Sequence, residues 1–149
     1  MKFLKPKIVV SKCLEFDNCR YDGQMINNEY IQKLKKFIDF QPICPEVEIK
    51  MGTPRDPIHI ITENNKTILY QKSTGLDFSS KMNSFSDDYL SKINKIDGFI
   101  LKSKSPSCGI NTTKIYSKKT PSPIGKGSGL FAAKIIENFP SYPKEDEKR

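Results

Sequence analysis

The chain has 149 residues, of which 36% are hydrophobic and 28% charged, and a formal net charge of +8. That length is about one domain, enough to bury a core without staples, and the composition fits a globular chain and excludes a largely disordered one. The opening MKFLKPKIVVSKC holds only a three-residue apolar run, too short for a membrane span or for the apolar part of a signal peptide, so a cytoplasmic protein with no membrane partner is expected.

The excess charge comes almost wholly from lysines spread along the chain, with no dense basic block. A solvated lysine surface accounts for this better than a phosphate-attracting face, which leaves nucleic acid as a disfavoured partner.

The β-branched run KIVVS at 7–11 suits a buried strand that delivers the chain to Cys13. Over 28–40, Tyr30, Ile31, Leu34, Phe37 and Ile38 recur at helical spacing and predict a helix with one apolar stripe. FQPIC then reads as a second strand running into Cys44, closed by Pro45. IHIITENNKTILYQ, at 58–71, alternates apolar and polar residues on both sides of Glu63-Asn64-Asn65-Lys66 and predicts a β-hairpin, placed as an insertion or edge. His59 inside it reads as a sheet residue and not as a ligand.

A helix rich in serine and lysine is predicted over 85–93, followed by the strand GFILKS, which opens into the loop of Cys108. In GKGSGLFAAKIIENF, the glycines at 125, 127 and 129 lead into a helix. This resembles a phosphate cradle, but no G-x-x-x-x-G-K-[ST] occurs, so tight strand-to-helix packing is the main reading, with a contact to a substrate phosphate left open. Residues 140–149 are expected to be a flexible tail beyond a folded domain at 1–139.

Strands alternating with helices predict an α/β single domain with a mostly parallel sheet flanked by helices and a β-hairpin insertion near 58–71. In such sheets ligands bind at the carboxyl ends of the strands. If the three strands that precede Cys13, Cys44 and Cys108 are parallel neighbours, all three thiols emerge at one edge.

The four cysteines, at 13, 19, 44 and 108, are even in number, but without a secretory signal a disulfide framework is disfavoured and metal or catalysis is the better reading. No C-x-x-C occurs, which argues against a zinc ribbon or a ferredoxin-type run. A cysteine needed only as a small hydrophobe belongs inside an element. Cys108 sits instead in the turn-rich KSKSPSCGI. Three soft thiolates select zinc, copper(I) or an iron–sulfur cluster and leave a fourth position open for chemistry, whereas Cys19 as a fourth ligand would close the site. Spacing alone leaves both arrangements standing.

SKCLEFDNCRYDG, ICPEVEIKMGTPRDPI, GFILKSKSPSCG and GKGSGLFAAKI, in this order and over roughly residues 8–135, resemble the small desulfurases typified by bacterial thiouracil desulfurase. The combination is far more restrictive than any one block. The resemblance implies a 4Fe-4S cluster bound by three cysteines, here Cys13, Cys44 and Cys108, with one iron free to take the sulfur of a thiolated nucleobase or nucleotide. Cys19 is then placed near the cluster without being a ligand. The activity implied is a non-redox desulfuration that releases sulfide. Glu46, two residues beyond Cys44, is the expected proton-handling carboxylate, and Ser105 is expected to hydrogen-bond the base. Ser107, Arg20 and Asp22 are expected to contact substrate, with Tyr21 as a wall. Where the family often has glycine after Cys-Leu, this chain has Glu15-Phe16. A four-cysteine structural or sensing site and an RNA-binding module are the rival readings.

Overall fold

The computed structural model describes residues 4–148. Its elements are β1 (Lys7–Ser11), α1 (Glu29–Leu34), β2 (Asp39–Ile43), α2 (Pro45–Glu48), β3 (His59–Glu63), β4 (Lys66–Gln71) and β5 (Leu76–Asp77). They continue with α3 (Ser79–Lys92), β6 (Gly98–Leu101), β7 (Thr113–Ser117), β8 (Thr120–Gly127), α4 (Leu130–Asn138) and β9 (Lys144–Asp146).

The β-branched β1 is the spine of a parallel sheet ordered β2-β1-β6-β9. Its register sets Ile8 against Phe40 and Gly98, and Val10 against Pro42 and Ile100. Val9 and Val10 are both fully buried, as expected of a strand covered on two faces. The fold is therefore the expected mixed α/β domain with a parallel sheet flanked by helices.

Four expectations change. The helix over 28–40 is shorter: Asn28 caps α1 by accepting the Ile31 amide at 3.0 Å, and the helix stops at Leu34 because the chain from Asp39 onward is drawn into pairing with β1. Of its apolar stripe Ile31 is buried, while Tyr30 and Phe37 stay exposed at 75% and 67%. The helix predicted from 85 begins six residues earlier, at Ser79, and buries Met82, Ser86 and Leu90 at intervals of four. Ser86 is tolerated there because its hydroxyl donates to the Met82 carbonyl at 2.7 Å.

The hairpin is β3 and β4, turned by Asn64 and Asn65 at φ 51° and 63°, the left-handed pair a two-residue turn needs. It founds a second sheet, ordered β5-β4-β3-β7-β8, and does not hang from the edge of the first. The cause is its buried face: Ile60 and Leu69 lie opposite one another and join the same core as Phe99, Leu101, Met82 and Phe131.

The tail is also structured. Residues 144–146 form β9, pairing Phe99 with Lys144 and Leu101 with Asp146, and so satisfy the outer edge of β6. Phe139 and Tyr142 pack at ring distances of 5.4 and 6.5 Å from Phe99 and lead the chain back to that edge. Arg149 lies outside the described residues. Among the described residues no helix is long and apolar enough to cross a membrane.

The start of α4 is set by close approach. The Gly129 amide donates to the Gly109 carbonyl at 2.8 Å, the Leu130 amide to Pro106 at 3.1 Å and the Ala132 amide to Ser107 at 2.9 Å. These amides are consumed by the Cys108 loop, and none of 125–129 reaches the cavity described below, so the phosphate contact considered for the glycine loop is not supported. A Cβ on Gly129 would fall 2.6 Å from the Ser107 carbonyl oxygen and 2.8 Å from the Cys108 amide nitrogen, both backbone. Gly129→Ala is expected to cost roughly 1–3 kcal/mol, the range for overpacking a closed contact, read as a lower urea midpoint.

Candidate functional site

The parallel pairing of β1, β2 and β6 brings three chain segments out at one edge. Beyond β1 the Lys12 amide donates to the Ile43 carbonyl at 2.8 Å, which keeps the β1 and β2 exits side by side. Cys44 immediately follows β2 and precedes α2, with Pro45 in the first turn, where its missing amide is harmless. Beyond β6 the Lys102 amide donates to the Ser11 hydroxyl at 2.8 Å, tying the Cys108 loop to the end of β1. These exits enclose a cavity of about 380 Å³ lined by all four cysteines. Pro57, Ile58 and Ile60 of the second sheet and its approach supply an apolar wall.

All four thiols are free. The Cys19 thiol lies within hydrogen-bonding reach of Cys13 and Cys44, and the Cys44 thiol donates to the Cys19 carbonyl at 3.7 Å. The hydrogen bond with Cys13, with burial adding, pushes Cys19 up to about 11 against an opposing effect of Cys44. The hydrogen bond with Cys19, then burial, raises Cys44 above the ordinary thiol range. Burial pushes Cys108 up to about 12, although a hydrogen bond with the Ser11 side chain favours its thiolate. Thiolates in this pocket therefore need a cation to balance them.

Among the described residues no three Cys, His, Asp or Glu side chains are grouped tightly enough to hold one metal ion. Sulfurs distributed around a cavity fit a polynuclear centre, in which each thiolate takes its own metal, and the soft donor set fits iron–sulfur chemistry.

Beside the thiols sits a buried carboxylate. Glu46 is 8% exposed, and its Oε1 accepts from Arg55 Nε at 3.1 Å and from Nη2 at 2.9 Å. Its Oε2 accepts from the Ser107 hydroxyl at 2.9 Å. Arg55 is held in turn, since Nη1 donates to the Cys19 carbonyl at 3.0 Å and to the Gly52 carbonyl at 2.8 Å. The carboxylate, the guanidinium and the cysteine loops thus form one polar network.

The expected site residues separate. Cys13, Cys44, Cys108, Glu46, Ser105, Ser107 and Arg20 line the cavity; Asp22 does not. Asp22 accepts the Gln24 amide at 3.1 Å and stands 4.0 Å from Arg20, so it shapes the turn and only loosely faces the guanidinium. Ser105 accepts the Ser107 and Cys108 amides at 3.2 and 3.0 Å. Because Ser107 gives its proton to Glu46, the 3.1 Å contact between the two hydroxyls takes the proton of Ser105. Both hydroxyl protons are directed along the loop toward Glu46, so in this arrangement neither serine has a proton free to donate to a base. His59 is a β3 residue, as read, and its ring packs edge-on to Tyr116 at 5.2 Å on the cavity wall.

Sequence reading assigned no role to Arg55 or Ser11. Arg55 was visible as the P-R that follows C-P-E; Ser11 carried no signal beyond ending a strand. The Glu15-Phe16 departure also has a structural account. Glu15 adopts φ 74°, the region that favours glycine, and its carboxylate accepts the Asn28 amide at 2.6 Å and the Gln32 side chain at 2.7 Å. Glutamate thereby gains two bonds that glycine cannot make.

The sequence matches the family model described as 2-thiouracil desulfurase over residues 8–147, and the chain belongs to that family. It is 32% identical over 133 residues to the uncharacterized protein YbbK of Bacillus subtilis (strain 168), covering 85% of this chain and 87% of that one. Among solved structures it is similar to the 4Fe-4S-dependent thiouracil desulfidase TudS, with a TM-score of 0.71, 27% identity, and coverage of 97% of this chain and 92% of the other.

Arg55 and Glu46 are 5% and 11% exposed at their side chains, so removing one strands the other. Arg55→Met is expected to lower stability by about 3–5 kcal/mol, and replacing both residues by leucine to recover most of that loss. Urea unfolding of the single and double variants measures both.

Proposed function

We propose that this protein is an iron–sulfur-dependent desulfurase that exchanges the sulfur of a thiolated nucleobase or nucleotide for oxygen. The observation that carries the reading is one cavity in which Cys13, Cys44 and Cys108 adjoin a buried, anchored carboxylate, Glu46. Family membership and the likeness to TudS support the substrate class and the cluster.

The net reaction needs no oxidant: a thiocarbonyl and water give a carbonyl and hydrogen sulfide. Cys13, Cys44 and Cys108 would hold the 4Fe-4S cluster. When bound, the cluster supplies a thiophilic Lewis acid with an iron not held by cysteine.

The residues of the chain handle position and protons. Arg55 on one oxygen of Glu46 and Ser107 on the other fix the plane of the carboxylate. Glu46 can accept a proton from the water that attacks the carbon and return it to the departing sulfur. Ser105 holds Ser107 and the Cys108 amide in place, and so acts through the loop. Ile58 and Ile60 make part of the cavity wall apolar and keep bulk water from it, which strengthens each of these hydrogen bonds.

A four-cysteine closed site is the second reading. It is favoured by the 3% exposure of Cys19 and by the reach of its thiol to Cys13 and Cys44. Serine is a poor ligand for soft metals. Single Cys→Ser variants at 13, 44 and 108 are therefore expected to lose iron and acid-labile sulfide after anaerobic reconstitution, while Cys19→Ser retains both. Loss in Cys19→Ser as well would select the closed site.

Wild-type protein reconstituted with iron and sulfide is expected to release sulfide from thiouracil or another thiolated base, and no release across a panel of such bases overturns the reading. With full cluster content, Glu46→Gln is expected to slow sulfide release on the order of 10²- to 10⁴-fold, the usual contribution of a general acid–base group. Unchanged turnover would remove Glu46 from proton transfer.

A further inference from the structure

The C-terminal segment reaches the cavity wall. Glu147, directly after β9, accepts the Ser103 amide at 2.6 Å and the Ser103 hydroxyl at 2.8 Å. The same carboxylate stands 3.1 Å from Lys102 Nζ, and the two side chains are only 7% and 14% exposed. Lys102 and Ser103 line the cavity, whereas Glu147 lies behind them. The Ser103 contacts and the Lys102 charge hold the carboxyl of Glu147 below the usual carboxylate range in spite of its burial.

The other cations around the cavity are differently placed. Arg55 is committed through all three guanidinium nitrogens to Glu46 and to backbone carbonyls. Lys104 and Lys114 are exposed, and the side chains of Lys12 and Arg20 are 40% and 29% exposed at the rim. Lys102 is thus the cation on the wall that is both shielded from water and incompletely used. Its ammonium has three N–H groups. One donates to the Ser103 carbonyl at 2.6 Å and one faces Glu147. The remaining contact, to the Ser103 hydroxyl, is long at 3.5 Å.

We propose that Lys102 is a specificity-determining donor that offers an N–H to an oxygen or ring-nitrogen acceptor of the bound base, and that Glu147 is the positioning residue that holds it there. The proposal rests on the reading of this cavity as the place where a thiolated base binds. A free lysine side chain has many rotamers, and a shielded ammonium with no anion beside it would swing toward water. The carboxylate removes both freedoms. Through the Ser103 amide it also anchors the first turn of the loop that ends in Cys108. The segment after β9 therefore braces two residues of the cavity wall.

The test uses cluster-loaded wild type, Glu147→Gln, Lys102→Met and the double variant. Iron and acid-labile sulfide are counted, uracil binding is measured by calorimetry, and kcat and KM are measured on a thiolated base that the wild type turns over. Both single variants are expected to keep full cluster content and a kcat within about threefold of wild type. The uracil Kd and the KM are expected to rise on the order of ten- to a hundredfold, the range for one lost charged hydrogen bond. Because Glu147 acts through Lys102, the double variant is expected to bind uracil no more weakly than Lys102→Met alone.

Unchanged Kd and KM in Glu147→Gln with an intact cluster overturn the proposal. So do additive losses in the double variant, or a fall in cluster content and kcat that leaves KM unmoved. If Glu147→Gln does not fold, Lys102→Met carries the test, and uracil binding equal to wild type overturns it. A wild type that releases no sulfide from any thiolated base overturns the functional reading and this proposal together; a wild type that turns over while the variants match it overturns this proposal alone.

Discussion

Parallel strands deliver their chains to the same edge of a sheet, and everything at the candidate site follows from β1 pairing in parallel with β2 and β6. Cys13, Cys44 and Cys108 are far apart in sequence, and only this pairing makes them neighbours. Antiparallel pairing of either partner would send one cysteine to the opposite end of the sheet. The hydrogen bonds that link the exits, from the Lys12 amide to Ile43 and from the Lys102 amide to the Ser11 hydroxyl, hold the three segments in one register beyond the sheet itself.

Charge is the second constraint. A carboxylate in a poorly solvated pocket is sustainable only when its oxygens are paired, and Glu46 is supplied from two directions, by Arg55 from the segment after α2 and by Ser107 from the loop after β6. Arg55 reaches on to the Cys19 carbonyl, so the geometry of the carboxylate is coupled to the loop that holds the fourth thiol. A second shielded pair, Lys102 with Glu147, holds the start of the Cys108 loop through Ser103. The amides at the start of α4 hold the same loop by its carbonyls.

The second sheet gives the cavity its apolar wall. Its inner face joins the common core through Ile60 and Leu69, while Pro57 and Ile58 on its approach line the site. A hairpin attached only to the edge of the parallel sheet would leave the thiols open to water. Burial of the hairpin and burial of the site are the same packing event.

The alternation of strands and helices, the Asn64-Asn65 turn and the position of three cysteines just beyond three strands were legible in the sequence, because each depends on local pattern and on the two-residue and 3.6-residue periods. The motif blocks also pointed to the family, whose model matches residues 8–147. The length of α1, the β9 strand in the supposed tail and the second sheet were not legible, because competition for an open sheet edge and burial of a hairpin face depend on distant partners. The same holds at the site. Motif context nominated Glu46, Ser105, Ser107 and Asp22 alike, yet only the tertiary structure turns the two serines toward Glu46, leaves Asp22 at a surface turn and brings Arg55, Ser11 and Glu147 to the cysteine loops. Local sequence determined which chemistry this chain could carry; long-range packing decided which side chains share one low-dielectric space, because that depends on where separate segments end up relative to each other and to water.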